Sequence, residues 1–275
     1  MVNIVIGKGS NLSKELEKNL ENVVLISSLN ATKELKELDN LNSKINIIFN
    51  NFQVSTRLND LSNPKEYIER SIMTTAEVLD FIRNRNLDIN RIIYTSSSSV
   101  YGNNEFCKES DPLQPLSLHS SLKISNERLV TSFCHQNNID YTITRIFNMY
   151  GRDDNFSIIS KIINSYRYNK TLTIFNNGTA TRDFIHIDNV VDIYKKVLNL
   201  KFAIPILNIG LGIGISVAEI LEFLKEHGIK IETKTKFRDE LKKSTADVSK
   251  LLSIMGEMEF IKIKPFLLKE LKSIG

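Results

Sequence analysis

Residues 117–123 read SLHSSLK, with His119 and Lys123 four positions apart. On a helix that spacing puts an imidazole and an ammonium on one face. A histidine can take or give a proton near neutral pH, and a nearby cation favours its neutral form. Just upstream, SSSSVYG (96–102) adds a cluster of hydroxyls. Such a set could serve acid/base chemistry on a polarised oxygen. Spacing alone favours a plainer reading, a polar stripe on a solvated helix face.

The elements that would position these groups follow a regular alternation. The apolar runs VNIVI (2–6), VVLIS (23–27), INIIF (45–49), RIIYT (91–95) and YTITRIF (141–147) read as buried strands. Helical patterns separate them: Leu12, Leu16 and Leu20 on one face, a short charged helix ATKELKEL, a long helix from Pro64 to about 86, and 117–137. Short strands alternating with helices predict βαβ units and a parallel sheet. Polar clusters stand at strand carboxyl ends: GKGS, NNF (50–52), the serine run and Asn148. Open α/β sheets bind ligands there.

Beyond residue 151 the pattern loosens into a helix near 156–168, a strand TLTIF (171–175), a helix N-capped by Asp188, a strand ILNIG (206–210) and an amphipathic helix (216–228) closed by Gly228. The expected fold is α/β, a Rossmann-type doubly wound parallel sheet with a smaller C-terminal α/β lobe. The predicted division is a first domain over 1–155, to which 184–213 returns, and a smaller lobe over 156–275.

Composition excludes several classes. A net charge of +4 scattered over 275 residues is too mild for nucleic acid but suits an anionic small molecule. No apolar run reaches the roughly 18 residues of a membrane helix. Two cysteines without a Cys-x-x-Cys pair, and four histidines without ligand spacing, predict neither a disulfide framework nor a metal site. A reducing cytoplasm is the simpler expectation.

GKGSNLS (7–13) follows the first strand and opens a helix. Glycines there let a phosphate reach backbone N–H groups at a helix N-terminus. The three-glycine spacing is incomplete, with Ser10 and Ser13 where later glycines are expected, so a plain tight turn fits as well. The second strand ends in Ser27-Ser28 with no carboxylate for a ribose 2′-hydroxyl and no arginine for a 2′-phosphate. The short segment before INIIF suggests that a strand flanking the adenine is missing.

At this point the chain resembles a family. RIIYTSSSSVYG (91–102), PLSLHSSLKISNE (115–127), TRIFNMYG (144–151), NNGTATRDFIHIDNVV (176–191), ILNIG (206–210) and STADVSKLLSIMG (244–256) match, in order, the landmarks of the extended short-chain dehydrogenases/reductases that act on nucleotide sugars, the NAD-dependent epimerase/dehydratase family. The resemblance implies NAD or NADP as cofactor, a nucleoside-diphosphate sugar as substrate, a role in polysaccharide biosynthesis, and a homodimer built on the helices 64–86 and 117–137. It implies that Gly7, Gly9, Ser10, Leu12, Ser13, Asn50, Asn51, Phe52, Thr95 and Lys123 line the cofactor. Ser97 would hydrogen-bond the reacting oxygen, with Ser98 beside it at the substrate. Asn148, Arg182 and, more loosely, Arg238 would hold the diphosphate end. His186 reads as a core residue.

His119 stands where the family carries its acid/base tyrosine, four residues before the lysine. Three readings stay open: it moves the proton itself, it only binds while water or another group moves the proton, or catalysis is lost. The expected activity is a 4-keto-deoxysugar reductase or a 4-epimerase. The rival is a catalytically impaired homologue that still binds dinucleotide or nucleotide sugar.

Overall fold

The computed structural model describes residues 1–38, 41, 43–51 and 61–274. In chain order it begins β1 (Val2–Ile6), α1 (Asn11–Asn19), β2 (Val23–Ile26), α2 (Ala31–Lys36), β3 (Ile45–Phe49), α3 (Pro64–Ile68), α4 (Thr74–Asn84) and β4 (Ile89–Ser97). Next come β5 (Phe106–Cys107), α5 (Leu118–Asn137), β6 (Tyr141–Ile146), β7 (Asn148–Tyr150), α6 (Ile158–Arg167), β8 (Leu172–Phe175), β9 (Thr181–His186) and α7 (Ile187–Leu198). The remainder is β10 (Ile206–Ile209), β11 (Gly214–Ser216), α8 (Val217–Glu226), β12 (Thr233–Lys236), β13 (Lys243–Ala246), α9 (Ser249–Met255) and α10 (Ile263–Lys272).

The chain forms two compact units. One comprises 1–100, 113–145 and 191–207, the other 101–112, 146–190 and 208–275. The first carries a sheet of order β2-β1-β3-β4-β6-β10, in which β1 pairs in parallel with β2 and β3, and β3 with β4. All five residues of β3 are buried, as expected of a central strand covered by helices on both faces. Strand order reverses between β2-β1 and β3, so the glycine loop after β1 and Asn50 after β3 meet at the switch point. Among the described residues β2 is the edge strand, in keeping with the short segment that follows it.

The helix expected from Pro64 onward is continuous only in outline. Asn63 caps it, and residues 69–73 widen into one π-helical turn. The carbonyls of Arg70 and Ser71 in that turn accept Nδ2–H bonds from Asn51 (3.2 Å) and Asn126 (2.6 Å). Side-chain amides thus satisfy part of the displaced ladder, which hydrophobic spacing does not reveal.

The second unit packs β11-β9-β13-β5 with β7 against β9, beside a two-stranded β12-β8 sheet. Its core includes Ile162, Leu172, Phe184, Ile220, Leu224 and Leu267. Ser216 and Glu219 form a capping box at the start of α8, and Gly228 follows its end with φ +78°. One expectation is corrected here. Asp188 does not cap α7; it sits in the first turn, where its carboxylate accepts from Arg152 Nε (2.8 Å) and Nη2 (2.6 Å). His186, the residue before the helix, supplies the cap: its Nδ1 accepts the Asp188 N–H at 3.2 Å. His186 is buried, edge-on to Tyr150 and against Phe266, as expected of a core residue.

Candidate functional site

In the first unit the site residues gather where β4 meets α5. Ser117 caps α5 through a reciprocal box with Ser120. The buried positions of α5 are Ser120, Lys123, Asn126, Glu127, Val130 and Cys134, so its polar stripe faces protein and not solvent. That removes the solvated-stripe reading for Lys123, while His119 is half-buried. Lys123 is only 6% exposed; its Nζ donates to the Thr95 carbonyl at 2.7 Å and lies 5.1 Å from the Tyr94 ring centroid. One turn on, the Glu127 carboxylate accepts from Arg145 Nε (3.2 Å) and Nη2 (2.8 Å) and from the Ser96 hydroxyl. These bonds fix α5 against the end of β4, where Ser97 is half-buried and its Oγ accepts the Ser99 N–H at 3.2 Å. Ser98, also half-buried, opens the 3-10 turn that follows. Thr95 Oγ1 shares a hydrogen bond with the Tyr194 hydroxyl (2.8 Å), which also bonds Thr144 Oγ1 (2.7 Å).

The electrostatics follow from burial. Desolvation pushes the Lys123 ammonium down to about 7, partly opposed by the Glu127 charge. The half-buried His119 is lowered to about 4, first by burial and then by the Lys123 charge. His119 is therefore a neutral imidazole at pH 7, with about one molecule in a thousand protonated. At that pKa it is a weak base, and it carries almost no proton to donate at pH 7.

The glycine loop is held by its serines. Gly7 has φ +108°, and a Cβ there would lie 2.6 Å from the Asn50 carbonyl oxygen. Ser10 caps α1, its Oγ accepting the Ser13 N–H at 3.0 Å, while the Ser13 hydroxyl donates to the Gly7 carbonyl at 2.8 Å. Asn50 Nδ2 donates to both hydroxyls, Ser10 Oγ at 2.5 Å and Ser13 Oγ at 2.9 Å. The two serines in place of glycines thus tie the turn to β3. Leu12 is buried beneath it. A Cβ on Gly9 would meet nothing within 4 Å, and no acidic side chain stands in the first turn of α1. An open backbone approach at a helix N-terminus whose first turn carries no carboxylate fits a dinucleotide diphosphate. Asn51 is buried and engaged with Arg70 O and Thr75 Oγ1 (3.1 Å), a brace for the π turn. Phe52 lies outside the described residues.

In the second unit, Asn148 Nδ2 donates to the Asp183 carbonyl at 2.9 Å. The buried Asp183 carboxylate accepts backbone N–H bonds from Leu211 (2.8 Å), Gly212 (2.8 Å) and Ala246 (3.1 Å); burial raises its pKa, opposed by those bonds. Arg182 is half-buried, which lowers its pKa, and its Nη2 lies 3.6 Å from Glu240 Oε2. Arg238 is exposed and stacks 3.8 Å over the Phe175 ring; its Nη2 reaches the same Glu240 oxygen at 3.1 Å. Asn176 Nδ2 donates to Glu240 Oε1 at 3.0 Å. Arg182 and Arg238, fifty-six positions apart, thus converge on one carboxylate, an arrangement that can grip an anion.

Sequence reasoning missed three of these groups. Glu127 entered only as the last residue of the matched stretch PLSLHSSLKISNE, although its place four residues after Lys123, on the same helix face, was a signal. Glu240 and Tyr194 carry no local pattern; only the fold brings them to Arg182 and Thr95.

Comparison with known proteins gives four results. The sequence pattern of the NAD dependent epimerase/dehydratase family matches residues 7–210. An uncharacterized protein of Methanocaldococcus jannaschii is 30% identical over 88% of this chain and 76% of its own length. A putative UDP-glucose 4-epimerase of the same organism is 29% identical over 79% and 78%. The structure of a UDP-glucuronic acid 4-epimerase from Bacillus cereus, solved with UDP-glucuronic acid and NAD, superposes with a TM-score of 0.81 at 22% identity, covering 100% of this chain and 99% of that one. The Rossmann-type α/β fold is thereby shared.

Proposed function

The chain belongs to the NAD dependent epimerase/dehydratase family, and from that premise we propose that it is an NAD(P)-dependent enzyme of nucleoside-diphosphate sugars, acting at C4 as an epimerase or a 4-keto-deoxysugar reductase. The bound nicotinamide supplies a hydride acceptor and donor for the sugar carbon. Ser97 holds the C4 oxygen by hydrogen bonding. His119 takes the hydroxyl proton as the alcohol becomes a ketone and returns it when the ketone is reduced. Lys123, anchored on the Thr95 carbonyl, orients the ribose end of the cofactor, and its charge adds to burial in keeping His119 neutral. Arg182, Arg238 and Asn148 bind the diphosphate end of the substrate. A cytoplasmic homodimer accompanies this reading.

The observation that carries it is the His119–Lys123 stripe turned inward beside the serine end of β4. The low basicity of His119, with a pKa of about 4, favours the second reading, a homologue that binds but turns over little. The test is wild-type protein with NAD and a panel of UDP- and dTDP-hexoses, products read by NMR, and 4-keto sugars with NADH read by absorbance. Formation of a C4 epimer or a reduced 4-keto sugar is expected. Dinucleotide binding with no product across the panel overturns the enzyme reading and leaves the impaired homologue.

A further inference from the structure

β2 is followed by Ser27-Ser28, which carry no group able to recognise the ribose of a dinucleotide through charge. The fold brings one there from elsewhere. Glu34, in the first turn of α2, reaches back so that its Oε2 accepts the Ser27 backbone N–H at 2.9 Å. Its Oε1 accepts from Lys8 Nζ at 3.2 Å, and Lys8 belongs to the glycine loop. That loop is itself fastened to the end of β2, since the N–H groups of Gly7 (2.8 Å) and Lys8 (3.0 Å) both donate to the Ile26 carbonyl. Glu34 therefore presents a carboxylate at the tip of β2, beside the loop proposed to hold the diphosphate.

Building on the dinucleotide reading above, we propose that Glu34 is the ribose-recognising carboxylate of this site, so that the protein selects the cofactor with a free 2′-hydroxyl, NAD, over its 2′-phosphorylated form. A carboxylate has about four lone-pair positions. The Ser27 N–H and Lys8 occupy two, leaving two for a pair of vicinal hydroxyls. The Glu34 side chain is 24% exposed, accessible to a ligand yet fixed by its backbone bond. A 2′-phosphate would bring a dianion against this carboxylate, and such repulsion discriminates as strongly as any attraction. Lys8 does not reverse the preference, because its charge is already paired with Glu34.

The experiment titrates wild type, Glu34→Gln and Lys8→Ala with NADH and with NADPH, read by nicotinamide fluorescence. Wild type is expected to bind NADH tighter by about tenfold or more, roughly 1.4 kcal/mol. Glu34→Gln keeps an acceptor for the Ser27 N–H and is expected to bring the two affinities within about threefold, chiefly by tightening NADPH. Lys8→Ala is expected to retain or sharpen the preference for NADH. The readout is a ratio within one protein, so partial unfolding lowers both affinities and leaves it intact. Equal or NADPH-favouring binding by wild type, or an unchanged ratio in Glu34→Gln, overturns the assignment alone. If wild type binds neither dinucleotide, the functional reading falls with it.

Discussion

The low pKa of His119 leads to a stability experiment whose size and sign follow from the structure. An ordinary imidazole titrates near 6.5, whereas burial and the Lys123 charge put this one at about 4. Each unit corresponds to about 1.4 kcal/mol, so the full shift is worth about 3 kcal/mol. The unfolded chain takes the proton first, between about pH 6.5 and 4, while folded His119 stays neutral. Above about 6.5 neither state is protonated there and nothing is lost. As pH falls toward 4, stability drops, because the unfolded state binds more protons. Urea unfolding of wild type and His119→Gln at pH 7 and at about pH 4 isolates this contribution, since all other titrating groups are shared. Wild type should lose about 3 kcal/mol more than the variant over that span. In parallel, the His119 ring protons should titrate near 4 by NMR, and Lys123→Met should raise that midpoint while leaving it below 6.5, because burial is the larger cause. A wild-type midpoint at or above about 6.5, or a pH-independent difference between the two proteins, refutes the reasoning.

Three further outcomes follow from the same structure. Glu127→Gln leaves the buried Arg145 guanidinium without its countercharge and should cost about 3–5 kcal/mol in urea unfolding at pH 7; a loss below about 1 kcal/mol contradicts that role. Gly7→Ala should destabilise by at least about 1–3 kcal/mol, given φ +108° and the contact with Asn50 O, whereas Gly9→Ala should stay within about 0.5 kcal/mol yet weaken NADH binding by crowding the open backbone. Arg182→Ala should weaken UDP binding by about tenfold or more in calorimetry, the loss of one charge-assisted contact.

Much of the first unit was legible because its signals are local. The apolar runs of β1, β3 and β4 and the polar residues after them announce a parallel sheet with ligands at strand ends. The inward turn of α5 was not legible from hydrophobicity, because its buried stripe contains Lys123, Asn126 and Glu127, which a burial pattern reads as solvent-facing. The family resemblance assigned Lys123 to the cofactor, and the structure buries it. Groups joined by distant contacts left no trace in spacing: Glu34 reaching Ser27, Glu240 between two arginines, Asn51 and Asn126 bracing the π turn. The cap of α7 went to Asp188 on residue preference, whereas the first helical residue is Ile187 and the imidazole before it makes the bond.

The central claim is that an imidazole does the proton work beside Lys123. The measurement that tests it most directly is the turnover of wild type, His119→Ala and His119→Tyr on whichever nucleotide sugar the wild type converts, at saturating cofactor. The account predicts that His119→Ala loses about a hundredfold or more in kcat with KM little changed, and that His119→Tyr recovers activity above the alanine variant. Full activity in His119→Ala would contradict it.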